Sequence, residues 1–129
     1  MSIRHRRKSR RWWISEEMSR LTYCYAQCYN LWKAEYKALG GLTQKEPDSE
    51  EAQSIAERNG IQREELSRKL TLIEETLIDT DKYLYRWLFM AVTNRGMTYD
   101  ELLAKGMPCS DKVFYDRRRK FYYLLSKKI

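Results

Sequence analysis

The chain has 129 residues, of which 43% are hydrophobic and 33% charged, and a formal net charge of +7. That length suits one domain with a modest core, and the balance is that of an ordinary globular protein. Only five Gly and two Pro occur, and the apolar residues fall at helical spacing, which excludes a many-turned β-sandwich or barrel. The expected fold class is therefore all-α. The longest apolar run, Trp87 to Val92, is far too short to span a bilayer, so no membrane partner is expected. The basic start MSIRHRRKSRRWW is followed by no apolar stretch or cleavage site, so it does not read as a secretory signal. A reducing, cytoplasmic compartment is expected.

Three cysteines, Cys24, Cys28 and Cys109, fit free thiols better than a disulfide scaffold. Cys24 and Cys28 share one face of a predicted helix, but a zinc site needs two further ligands. The one histidine, His5, lies in the basic start. No metal and no other cofactor is expected. With His5 alone, a catalytic triad or metal-hydrolase centre has no material, and the pairs Glu64-Glu65 and Glu74-Glu75 read as solvated faces rather than working carboxylates. The chain is not read as an enzyme.

The positive charge is concentrated at the two ends. Residues 1–11 carry Arg4, Arg6, Arg7, Lys8, Arg10 and Arg11 with no acid, and residues 111–129 carry seven Lys or Arg against Asp111 and Asp116. The stretch between is net acidic. A polyanion held by both ends accounts for this division; a solubilising tail beside an incidentally basic helix is the plainer alternative.

Three regions follow in chain order: a basic arm over 1–13, a helical hairpin or bundle over 14–79, and a helix-turn-helix over 80–129. Ser15-Glu16-Glu17 is a helix start, with Ser as the cap and two acids against the positive helix end. Ile14, Met18, Leu21, Tyr25, Cys28, Trp32 and Leu39 then recur at steps close to a heptad seam, and Gly40-Gly41 ends the predicted helix. This stripe either pairs two copies into a homodimer or folds back within the chain. Residues 42–49 read as a polar loop. A short helix carrying Ala52, Ile55 and Ala56 is expected to break near Asn59-Gly60, and Leu66, Leu70, Ile73 and Leu77 mark a helix antiparallel to the first. Asp79-Thr80-Asp81 offers a cap or break before an almost uniformly apolar helix over 82–94.

The last region reads as two helices around a tight turn. Asn94-Arg95-Gly96 stops one helix, and Thr98 to Glu101 forms a capping box that opens a short helix over 99–104 with Leu102 and Leu103 facing inward. Lys105-Gly106-Met107-Pro108-Cys109 is the turn. Ser110 caps a basic helix that runs to about Lys127 and is expected to bury Phe114, Phe121 and Leu125, with Val113 and Leu124 alongside. A short helix, a Gly-containing turn and a basic helix is the layout of a DNA-reading helix-turn-helix. Ser110, Lys112, Tyr115, Asp116, Arg117, Arg119 and Lys120 are the candidate DNA-binding residues on it. Those near the helix start suit base edges and those further along suit phosphates. Arg118 shares the side of Phe114 and Phe121. The arm residues Arg4, Arg6, Arg7, Lys8, Arg10 and Arg11 are candidates for an adjacent minor groove.

The stretch TYDELLAKGMPCSDKVFYDRRRKFYYLLSKK resembles the C-terminal helix-turn-helix of small phage and prophage proteins of Gram-positive bacteria, the ArpU-like and RinA-like late-gene regulators. Its layout is also similar to the promoter-reading region 4 of sigma factors, although that pattern has an aliphatic residue where Arg118 stands. The resemblance covers 80–128 and is most specific at Pro108-Cys109-Ser110 and at Tyr115 to Phe121. It implies duplex DNA as partner, a role in phage transcription, a bacterial cytoplasm as the setting, and host RNA polymerase as a further partner. Two rival readings stand beside it. One is a phage protein-interaction factor that engages a host polymerase, nuclease or defence complex through its many Tyr and Trp. The other is single-strand or RNA binding, with Trp12-Trp13 or Tyr122-Tyr123 stacking on bases.

Overall fold

A computed structural model describes residues 11–42 and 49–129. Among them are six helices and no strand: α1 (Glu16–Gln27), α2 (Tyr29–Leu42), α3 (Glu50–Thr80), α4 (Tyr85–Thr93), α5 (Tyr99–Ala104) and α6 (Asp111–Ser126). The protein is all-α. None of these helices is long and apolar enough to cross a membrane. The polar loop expected over 42–49 falls mostly outside the described residues.

The expected helix over 14–39 is two helices. Ser15 caps α1 by accepting the Met18 N–H, and at Cys28 the ladder shortens as its N–H donates to Tyr25. This joint places Gln27 and Asn30 over the end of α4, where their side-chain amides donate to the carbonyls of Val92 and Thr93 at 2.8 and 3.4 Å. Those carbonyls lie in a last helical turn and have no partner within the helix. The break thus satisfies a second helix.

The buried face of α1 is Thr22 and Ala26, continued by Tyr29 of α2, one position away from the expected stripe. Leu21, assigned to that stripe, is 51% exposed. Hydrophobicity misreads this face because its inner residues are small or hydroxylated. Thr22, Thr76, Thr80 and Thr93 are all buried, and each hydroxyl donates to the carbonyl four residues back, which removes the cost of burial.

α2 and α3 form an antiparallel hairpin. The Tyr29 hydroxyl donates to Glu74, Lys69 Nζ lies 4.9 Å from the Trp32 ring, and the Arg63 guanidinium lies 4.0 Å over Tyr36. Within the chain, α2 thus folds back on α3 through Tyr29, Trp32 and Tyr36. Gly40-Gly41 does not end the helix, which runs to Leu42. Gly40 instead permits a close approach, since a Cβ there would sit 2.8 Å from a guanidinium nitrogen of Arg63. Nor does Asn59-Gly60 break α3, a continuous helix of 31 residues. One interior Gly costs only about 1 kcal/mol against Ala, too little to end a well-capped helix.

One core joins all six helices, from Ala26 and Tyr29 through Ile73, Leu77, Leu88 and Val92 to Leu102, Phe114, Phe121 and Leu125. Burial and the bond to Glu74 raise the pKa of Tyr29, and burial also raises Tyr85, with Glu74 adding to the shift. Both tyrosines stay neutral in the fold where unfolded ones ionise near 10.0. Their stabilisation is complete below that pH and is lost as pH rises through the higher folded values. Melting temperature should therefore fall as pH rises above about 10, and Tyr29→Phe should make the fall shallower. An equal fall in the variant would remove Tyr29 from this role.

Candidate nucleic-acid interface

The end of α4 and the start of α5 follow the sequence closely. Gly96 adopts a φ of +81° after α4, and Thr98 caps α5 by accepting the Glu101 N–H at 3.2 Å. The Glu101 carboxylate reaches back to the Thr98 hydroxyl, not to its backbone. Leu102 is buried, but Leu103, expected inward, is 47% exposed. A six-residue helix has one inner side, and Leu102 occupies it.

The turn between α5 and α6 is pinned at three points. Gly106 takes a φ of +103°, which suits glycine, while Gly106 and Met107 donate to the carbonyls of Leu103 and Leu102. Met107 is buried and anchors the turn from within. The Tyr99 hydroxyl donates to the Cys109 carbonyl at 2.8 Å, tying the start of α5 to the end of the turn. Burial pushes the Cys109 thiol up, assisted by Asp81 and opposed by Arg117. Ser110 then accepts the Val113 N–H and opens α6.

Phe114, Phe121, Tyr122 and Leu125 are the inner face of α6. Val113, placed alongside that face by the sequence, is 38% exposed instead, and Leu124 is half-buried. Among the sequence-derived site residues, Ser110, Lys112 and Tyr115 are exposed, while Arg119, which faces α1, and Lys120, which lies against Trp12, are half-buried. Asp116 pairs with Arg117 at 2.6 Å. Arg117 is turned toward the body, where its Nε donates to Asp81 at 3.1 Å.

Asp81 is the joint of this half of the molecule. It caps α3, accepts the N–H groups of Tyr83 and Leu84 on one oxygen, and accepts Arg117 on the other. Lys128 adds a second tie from the end of α6 to Asp79 at 2.8 Å. Asp81→Ala should cost about 1.5–3 kcal/mol, the range for hydrogen bonds to charged groups, read as a lower denaturation midpoint. Loss of only a few tenths would mean that packing alone sets the angle of α6.

The arm meets this helix. Trp12 packs on Tyr123 with ring centroids 5.5 Å apart, and Lys120 Nζ lies 5.5 Å from the same indole. Arg11 covers the indole at 4.6 Å. Trp12 has a φ of +64°, a strained value for a bulky side chain that the surrounding packing must hold. Arg4, Arg6, Arg7, Lys8 and Arg10 lie outside the described residues. Sequence reasoning had Trp12 only as a base-stacking residue, and the aromatic pair Trp12 and Tyr123 gave no sign of contact across the length of the chain.

The remaining candidates are placed as follows. Cys24 is exposed and Cys28 half-buried, and no three His, Cys, Asp or Glu residues cluster as metal ligands among the described residues. Glu64, Glu65 and Glu75 are exposed, and Glu74 accepts the Tyr29 hydroxyl. Arg118 lies beside Tyr122, its guanidinium 5.9 Å from the ring centroid. Burial pushes the Tyr122 hydroxyl up, and Arg118 partly opposes this. Comparison with protein-family models, curated proteins and solved structures found no match.

Proposed function

We propose that this chain binds duplex DNA through α6 and the basic arm together, as a phage or prophage transcriptional regulator of the late-gene type. The observation that carries the reading is the clasp of Trp12 on Tyr123 and Lys120, which joins the end of one basic stretch to the other. Arg11 and Lys120 thereby flank one indole, so the two basic stretches meet there, and a continuous cationic surface is what a phosphate backbone selects. The capped start of α6 carries exposed Lys112 and Tyr115 where base edges are reached, while Lys120 lies further along, suited to phosphate. Host RNA polymerase is a second partner under this reading.

Selection of bound duplexes from a random pool tests it. A motif should emerge, and its symmetry reports one or two copies on the site. Replacing Lys112, Tyr115, Asp116 or Arg119 where it grips a base should cost on the order of 1–3 kcal/mol and relax one position of that motif. No enrichment over the input pool would reject sequence-specific binding. Trp12→Ala should weaken binding to all duplexes alike, because it releases the arm rather than a base contact. An unchanged affinity would separate the arm from the interface.

A further inference from the structure

A groove of about 430 Å³ runs between α1 and α6, lined by Tyr23 and Cys24 on one side and Tyr115, Arg118, Arg119 and Tyr122 on the other. Its volume is within the range of small-molecule sites, about 300–1,000 Å³. None of the lining side chains is acidic. Arg20, at the rim, is held by Glu16 at 2.8 Å. Arg118 has no carboxylate partner among the described residues. It stands on the side of α6 that otherwise carries Phe114, Phe121 and Leu125, where an apolar residue would extend the core. A charge on a core-facing side, with the neighbouring helix leaving space before it, is a local conflict of the sort that functional sites retain.

We propose that this groove binds a nucleoside monophosphate. The Arg118 guanidinium, lying over Tyr122, offers planar paired donors to the phosphate. Tyr23 and Tyr115 both line the groove and supply aromatic rings for a base to pack on, and ring stacking tolerates any base. Both halves of the ligand are needed: the phosphate for charge, the base to fill an aromatic-walled groove. The groove shares Tyr115 and Arg119 with the proposed duplex interface, but the inference rests on the groove's own geometry and does not require duplex binding.

Isothermal titration of the full chain with adenosine and uridine 5′-monophosphate tests it, with adenosine and inorganic phosphate as controls. The nucleotides should bind saturably at one site per chain, and neither control should match them. Arg118→Leu should lower the affinity at least about tenfold, the size of one lost charge-assisted hydrogen bond. Cys24→Trp should abolish binding by filling the groove from an exposed position. Both variants should melt near the parent temperature, and only variants that do so are compared. The same chemical group is presented by an overhanging 5′-phosphorylated nucleotide on a duplex. Overhang and blunt duplexes, each titrated with parent and Arg118→Leu chains, distinguish a free nucleotide from a strand end. Dilution heats alone for both nucleotides and no preference for the overhang would overturn the proposal, as would binding undiminished in both variants.

Discussion

Phe121→Ala should lower the unfolding free energy by about 3–5 kcal/mol, the range for removing a fully buried aromatic ring. Phe121 is 0% exposed, and the core it belongs to draws residues from every helix. A cavity there therefore loosens α6 from the whole molecule, with no separate unit left intact. The matched control is Leu103→Ala on α5, which the sequence placed inward but whose side chain is 47% exposed. It should change stability by less than about 0.5 kcal/mol. Denaturant titration of the two variants decides the matter, and similar midpoints would mean that the inner face of the last region is misassigned.

The second large effect concerns binding. Replacing Lys112, Arg119 and Lys120 together by Gln should lower duplex affinity on the order of a hundredfold at moderate salt and reduce the salt slope by about one per lost phosphate contact. Arg117→Gln is the informative comparison, because that guanidinium is committed to Asp81 and Asp116. It should lower melting temperature and leave the salt slope near the parent value. The reverse pattern, a slope set by Arg117 and indifferent to the other three, would place the DNA on a different face of α6.

These contrasts also mark what the sequence makes legible. Caps and turns are local chemistry, so Ser15, Thr98, Gly96, Gly106 and Ser110 appear where their residue types require. The limits of α5 and α6 follow from them. Apolar spacing places the inner face of α6 at Phe114, Phe121 and Leu125, and the antiparallel partner of the first helical stretch at Leu66 to Leu77. Apart from the unbroken helix at Asn59-Gly60, where a local penalty is too small to act, the main failures arise because the missing information is tertiary. Thr22 and Ala26 carry no hydrophobic signal, yet they form the closest face of α1. The joint at Cys28 exists because the end of α4 needs Gln27 and Asn30, residues distant in sequence from the carbonyls they satisfy. Arg63 lying across the end of α2 explains Gly40 better than any turn rule. Of the candidate interface, the basic character of both ends is plain in the sequence. The clasp of Trp12 with Tyr123 and the groove beside Arg118 arise only when α6 is set against its neighbours.

The central claim is that the two basic ends form one surface for duplex DNA. Affinity for a labelled duplex, measured against salt concentration for the full chain and for the chain lacking residues 1–11, tests it most directly. Both plots of log affinity against log salt should be steep, and the deletion should reduce the slope by several units, approaching one for each arm cation that neutralises a phosphate. A full chain whose weak binding ignores salt, or an affinity and slope unchanged by removal of the arm, would contradict the account.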